Sequence, residues 1–191
     1  RGKVVHLEVH GMMDRDAKKP MQKDTIFRIY SMSKSFAAVG TMMLVEEGRV
    51  QLDVPASTYI PEFKGMKVAV NPDAEELTLV DPKREMTVRD LFRHSSGLPG
   101  ANLYMAGETS LGKLYREAGL NQLETCNLQD MVAILGSVPL LYHPGTKWIY
   151  SIAADVLGRL IEVVSGQFFD EFLSDRIFRT LGMDDTDFYV P

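Results

Sequence analysis

Strand-type alternation is confined to one end of this chain. The stretch "KVVHLEVHGMM" (3–13) sets Val5, Leu7 and Val9 on one face and Val4, His6, Glu8 and His10 on the other, the pattern of a half-buried strand. "TIFRI" (25–29) reads as a second, short strand after the polar turn "DRDAKKPMQKD". Residues 3–29 therefore predict a hairpin-like pair. Two strands alone are barely stable in water, and the rest of the sequence supplies no obvious further sheet. The expectation is an α/β chain that is one segment of a larger sheet-containing domain.

Beyond residue 30 the spacing is helical. Phe36, Val39, Met43 and Leu44 recur at helix intervals within 33–47, and Gly48 supplies a stop. A capping box, Thr87 to Asp90, opens a short helix over 87–94. Helices are expected at 111–118 and at 127–136, the second capped by Asn127. Ile152, Val156, Leu157, Leu160 and Val164 form one apolar face of a helix over 151–166, closed by Gly166, and 167–182 reads as another, closed by Gly182. Between these lie Pro- and Gly-rich connections and an inserted loop or small hairpin within 62–86. The organisation predicted is one domain over 1–191: strands in 1–30, a helix over 31–48, and a mostly helical region over 49–191.

Composition narrows the function classes. The net charge of −5 and the absence of a Lys/Arg run argue against nucleic acid. No apolar run approaches the roughly 18 residues of a membrane span. His6, His10 and His143 lack ligand spacing, so neither metal nor cofactor is expected. The single cysteine, Cys126, has no partner for an internal disulfide. That suits a reducing compartment, and a cytoplasmic location is expected, with a periplasmic or secreted one left open. A homo-oligomer is left open too.

The chemistry gathers at "YSMSKSF". Ser31 and Lys34 stand three apart at the mouth of the strongest helix, and on a helix such positions share a face. A serine becomes a nucleophile when a base takes its proton, and a lysine serves as that base when burial lowers its pKa. Free N–H groups at a helix start favour a developing oxyanion. The pattern alone decides nothing. With 11 serines and 10 lysines, chance yields roughly 0.6 such pairs, and the chain holds a second, Ser110/Lys113. Context separates them, because Ser110 lies between Gly107 and Gly112 with no strand before it. The bland alternative for Ser31 is a helix-capping serine beside a solvated lysine.

Other segments add to that pair: "DTIFRIYSMSKSF", "LVEEGRVQLDVPASTYIPEF", "TVRDLFRHSSGLPG", "LYREAGL", "PLLYHPGTKWIYSIAADVLGRLIEVVSGQ" and "IFRTLGMDDTDFYVP". In order, they cover nearly the whole chain. Together they resemble the serine β-lactamase/penicillin-binding-protein superfamily, and within it class C β-lactamases and family VIII carboxylesterases most. The resemblance implies a β-lactamase-like fold, an antiparallel sheet flanked by helices plus a helical subdomain, with this chain as its N-terminal and central segment. It implies Ser31 as nucleophile, Lys34 as the group assisting its deprotonation, and Tyr150 as a phenolic base and later acid, its pKa lowered by nearby positive charge.

Two departures qualify that picture. Ile152 stands where class C enzymes carry an amide-contacting Asn; it can neither donate nor accept, which argues against β-lactams and for esters. The family's third motif, a Lys-Thr-Gly-like or Trp-Gly-Gly-like strand that completes the oxyanion hole, is not in this sequence; the remainder of the domain would supply it as a further segment or chain. Trp148 fits the esterase branch, and Met32 and Met105 are candidates to line an acyl pocket. The segments 62–86 and 101–120 would roof it. His94 is read as structural. The substrate expected is a small ester or amide, cleaved through an acyl-Ser31 intermediate. Rival readings are a β-lactamase or D-amino-acid peptidase, an acyltransferase, and a non-catalytic ligand-binding domain on the same fold.

Overall fold

The first β-ladder starts at the end of the expected strand over 3–13 and closes within the stretch expected to be a turn. In the computed structural model, which describes residues 2–100 and 109–189, β1 (Met12–Asp14) pairs antiparallel with β2 (Lys19–Pro20). Met12 stands opposite Pro20 and Asp14 opposite Lys19. Asp14 Oδ1 accepts the Ala17 N–H at 2.9 Å and closes the turn. Of the strand expected over 3–13 only Met12 and Met13 belong to the ladder, and the one expected over 25–29 does not form: 2–10 and 25–29 carry no strand, and Val4, Val5 and Leu7 are exposed. Alternation states which side chains a sheet would bury, but a ladder also needs a neighbouring strand. Among the described residues no strand pairs with 2–10 or with 25–29.

This ladder belongs to the first of two units, Arg1–Ser31; the second is Met32–Pro191. The second is built on a helix pair. α1 (Ser33–Glu46) follows a 3-10 turn at Tyr30–Met32, and Gly48 reverses the chain after it at φ 72°. The periodicity named Phe36, Val39, Met43 and Leu44 as its inner face. The structure instead buries Ala37, Gly40, Thr41 and Leu44, leaves Phe36 and Met43 half-buried, and exposes Val39. Gly40 accounts for the difference. A Cβ there would stand 3.0 Å from Ile161 Cδ1, 3.1 Å from Leu173 Cδ2 and 3.3 Å from Phe172 Cε1. Its missing side chain lets the facing helices settle against α1, and the buried stripe centres on it.

Ile161 belongs to α5 (Ala153–Ser165), whose Val156, Leu160 and Ile161 are fully buried. Phe172 and Leu173 belong to α6 (Phe169–Leu173). The helix expected over 167–182 is continuous in direction but changes winding: a π turn at Ser174–Phe178 separates α6 from α7 (Arg179–Leu181). Gly166 and Gly182 stop these helices at φ 78° and 65°.

The expected capping box is present. Thr87 and Asp90 exchange hydrogen bonds at the start of α2 (Val88–Phe92). Thr109 caps α3 (Ser110–Glu117), and Asn127 caps α4 (Leu128–Gly136) by accepting the Asp130 N–H at 2.8 Å. Within 62–86 the chain makes a small hairpin, β3 (Val68–Ala69) with β4 (Leu79–Val80), and Leu140 joins β3 as an isolated parallel bridge. Residue 105 and the adjoining part of the expected roof lie outside the described residues. No helix among the described residues is long and apolar enough to cross a membrane.

Candidate active site

Two loops that are far apart in sequence zip together and carry Tyr150. One is 94–100, the "HSSGLPG" that follows α2; the other is 141–152, which leads into α5. The Leu141 N–H donates to Gly97 O at 2.8 Å, Gly145 N–H to Ser95 O at 2.7 Å, Ile149 N–H to His94 O at 2.8 Å and Ile152 N–H to Pro99 O at 3.4 Å. Glycines permit this closeness. Gly97 sits at φ 87°, and a Cβ there would run into the Tyr142 carbonyl. A Cβ on Gly100 would stand 2.5 Å from the Tyr150 carbonyl oxygen.

An ion pair between a buried aspartate and a partly exposed arginine ties the two loops to α2. Asp90, almost fully buried, receives Arg84 Nη1 at 2.5 Å and Nη2 at 2.9 Å, the Thr87 N–H and hydroxyl at 2.9 Å each, and the Ser95 hydroxyl at 3.1 Å. Burial pushes this carboxyl up, but the Arg84 and Thr87 hydrogen bonds outweigh it and hold it below the usual range. The Arg84 guanidinium in turn fills the space beside Gly145, where a side chain would collide with it.

Lys34, in the first turn of α1, is half-buried, and its Nζ lies 4.9 Å from the centroid of the Tyr150 ring. A cation on an aromatic face is attracted by the ring quadrupole. Two further groups feel the Lys34 charge. His94 titrates below its usual value, first because it is partly buried and second because Lys34 faces it. Asp155, in the first turn of α5, keeps exposed surface. Even so, surrounding protein desolvates its carboxyl and pushes it up, while Lys34 pulls it back part way. Lys34 is thus the electrostatic centre of a small polar cluster. Tyr150 itself is 48% exposed.

Ser31 lies in the Tyr30–Met32 turn that runs into α1. The N-cap position of α1 falls on Met32, one residue after it, and Met32 makes no side-chain cap bond. Tyr30, just before Ser31, has a left-handed backbone at φ 45°.

A family model described as Beta-lactamase matches residues 1–191, the full chain. The chain belongs to the serine β-lactamase/penicillin-binding-protein superfamily. Esterase EstB of Burkholderia gladioli is 31% identical over 191 residues, 98% of this chain and 44% of that protein. Lovastatin esterase of Penicillium rubens is 32% identical over 173 residues, 90% of this chain and 42% of that one. Among solved structures, EstCE1, "a hydrolase with promiscuous acyltransferase activity", superposes with a TM-score of 0.76 at 28% identity, over 94% of this chain and 44% of its own. The chain spans less than half the length of these relatives. The β-lactamase-like, mixed α/β fold expected from the sequence is the observed one.

Within this superfamily member, the remaining candidates fall into two groups. Trp148 and Met32 are exposed, and Trp148 joins an aromatic cluster, 6.1 Å from His94 and 6.4 Å from Tyr150 between ring centroids. Ile152 is half-buried against the hydrophobic core and holds its loop through the Pro99 contact. The competing pair Ser110/Lys113 is a helix start: the Ser110 hydroxyl donates to Glu75 O at 3.0 Å, and Lys113 is exposed. Among the described residues no cluster of His, Cys, Asp and Glu could hold a metal ion. Sequence reasoning passed over Asp155, Ser151 and Gly100. Only the glycine-rich text of the 94–100 loop hinted at so close an approach.

Proposed function

We propose that this chain carries the reacting groups of a serine hydrolase that cleaves carboxylic esters, in the manner of family VIII esterases. Ser31 Oγ attacks the ester carbonyl as its proton passes to the Lys34–Tyr150 pair. The tetrahedral intermediate collapses to acyl-Ser31 and expels the alcohol, which takes that proton from Tyr150. Water, deprotonated by the same pair, then attacks the acyl-enzyme and releases the acid and Ser31. No cofactor enters this cycle. Fixed dipoles aimed at the charge that develops on the attacked carbonyl are what make such transfers fast.

The observation that carries the reading is the seating of the Lys34 ammonium on the Tyr150 ring, with Ser31 three positions ahead of Lys34. A tyrosine needs an adjacent cation to lose its proton near neutrality. An ester substrate also suits Ile152, which presents no group to an amide side chain, and it agrees with the two esterase relatives. Acyl transfer to an alcohol in place of water is the second reading, favoured by the activity named for EstCE1.

Labelling with a fluorophosphonate, followed by peptide mapping, tests the nucleophile. One adduct on Ser31, lost in Ser31→Ala together with hydrolysis of p-nitrophenyl butyrate, is the expected result. An adduct elsewhere, or none on a folded protein that still binds esters, would leave a binding domain.

A further inference from the structure

His94 grips the chain on both sides of Tyr150. Its carbonyl accepts the Ile149 N–H at 2.8 Å, and its Nδ1 accepts the Ser151 N–H at 3.2 Å and lies 3.3 Å from the Ser151 hydroxyl. Ser151 is buried, so these bonds are shielded from water. Between the two gripped residues stands Tyr150, whose ring lies 5.0 Å from the imidazole at an interplanar angle of 37°. His94 does this from a left-handed backbone at φ 51°, a conformation in which its Cβ crowds the following carbonyl oxygen. Such strain persists only where the surroundings impose it.

We propose that His94 is a positioning residue. Its neutral imidazole, accepting the Ser151 N–H at Nδ1, fixes the Tyr150 ring against the Lys34 ammonium. The inference rests on the catalytic reading of Tyr150 given above. An acceptor at Nδ1 requires the ring proton on Nε2. An imidazolium would instead turn an N–H toward the Ser151 N–H and break the grip. The charged and titratable groups facing the ring are Lys34 from α1 and Tyr150 from the partner loop. Partial burial and the Lys34 charge both disfavour the imidazolium.

The test uses the natural protein and ester hydrolysis, with kcat and KM measured separately. His94→Gly accepts the left-handed backbone but removes the acceptor; His94→Asn accepts it and keeps an acceptor near the Nδ1 position. His94→Gly should lose kcat on the order of 10²-fold with KM little changed, as a misplaced catalytic group does. His94→Asn should restore most of that loss. Histidine ¹⁵N spectra of the unsubstituted protein should show the Nε2–H tautomer for His94. Full kcat in folded His94→Gly, an Asn variant no better than Gly, or an Nδ1–H tautomer would each overturn the proposal. Tyr150→Phe, assayed alongside, separates the two readings. If it is inactive while His94→Gly is fully active, only the positioning role fails. If it is fully active, the role of Tyr150 falls first and the positioning role with it.

Discussion

Replacing Asp90 with Asn removes one charge from the joint that holds both loops, with almost no change in volume. The carboxylate has two acceptor oxygens, and each receives more than one donor: Arg84 Nη2 and the Ser95 hydroxyl at Oδ1, Arg84 Nη1 and both Thr87 donors at Oδ2. An amide offers one oxygen and one NH₂. Its better orientation keeps oxygen toward Thr87 and sets NH₂ against Arg84 Nη2, losing one charge-assisted bond and facing two donors together. A charged hydrogen bond contributes about 1.5–3 kcal/mol net. Arg84 is 45% exposed and recovers some hydration, so a loss of about 2–3 kcal/mol is expected. At a urea slope of about 2 kcal/mol/M this lowers the midpoint by about 1–1.5 M. The pH dependence has a definite sign. The folded carboxyl titrates below its unfolded value, so its stabilisation is whole above the unfolded pKa of about 3.9. It disappears as pH falls through the folded pKa. Urea titrations of both proteins should therefore show a constant gap from neutrality to about pH 5 and a shrinking one below about pH 4. A variant as stable as the parent at neutral pH, or a gap that widens in acid, would refute the reasoning.

Lys34→Ala should lower kcat for p-nitrophenyl butyrate by about 10²–10⁴-fold, and near-parental turnover would remove Lys34 from the mechanism. Gly100→Ala should destabilise the protein by about 1–3 kcal/mol and lower kcat as well, because its Cβ would lie 2.5 Å from the Tyr150 carbonyl oxygen. Gly100 is absent from the glycines with positive φ, so unchanged melting and kinetics would show that the loops part without moving Tyr150.

The features legible in the sequence were those decided within one helical turn. Gly48, Gly166 and Gly182 end helices in left-handed conformations, and the Thr87–Asp90 box closes with both hydrogen bonds. Each depends only on residues a few positions away. The extent of the strand over 3–13, of which only Met12 and Met13 belong to the ladder, and the absence of one over 25–29 were not legible, because a strand needs a partner that local alternation cannot name. The inner face of α1 was missed for a related reason. Apolar spacing favoured Val39, yet the closest approach of Ile161, Leu173 and Phe172 falls at Gly40, a residue that hydrophobic periodicity passes over. The π turn at Ser174–Phe178 was equally hidden, since 3.6-residue spacing continues acceptably on either side of it.

The candidate site divides along the same line. Lys34 and Tyr150 were found through motif text, and the structure seats one on the other. The groups flanking Tyr150 act through backbone, so motif text did not assign their part, and His94 was read only as structural. His94 contributes a carbonyl and one ring nitrogen, Gly100 an absent side chain, and Ser151 an N–H. Backbone donors are the same in every sequence, so only a fold that brings 94–100 against 141–152 reveals their use. This also explains how the tyrosine can remain 48% exposed and still be held in place. Its side chain is left open toward solvent while the peptide groups on either side carry the restraint. Positioning through the flanking backbone therefore reconciles an accessible phenol with a fixed one, a combination that packing of the ring itself could not provide.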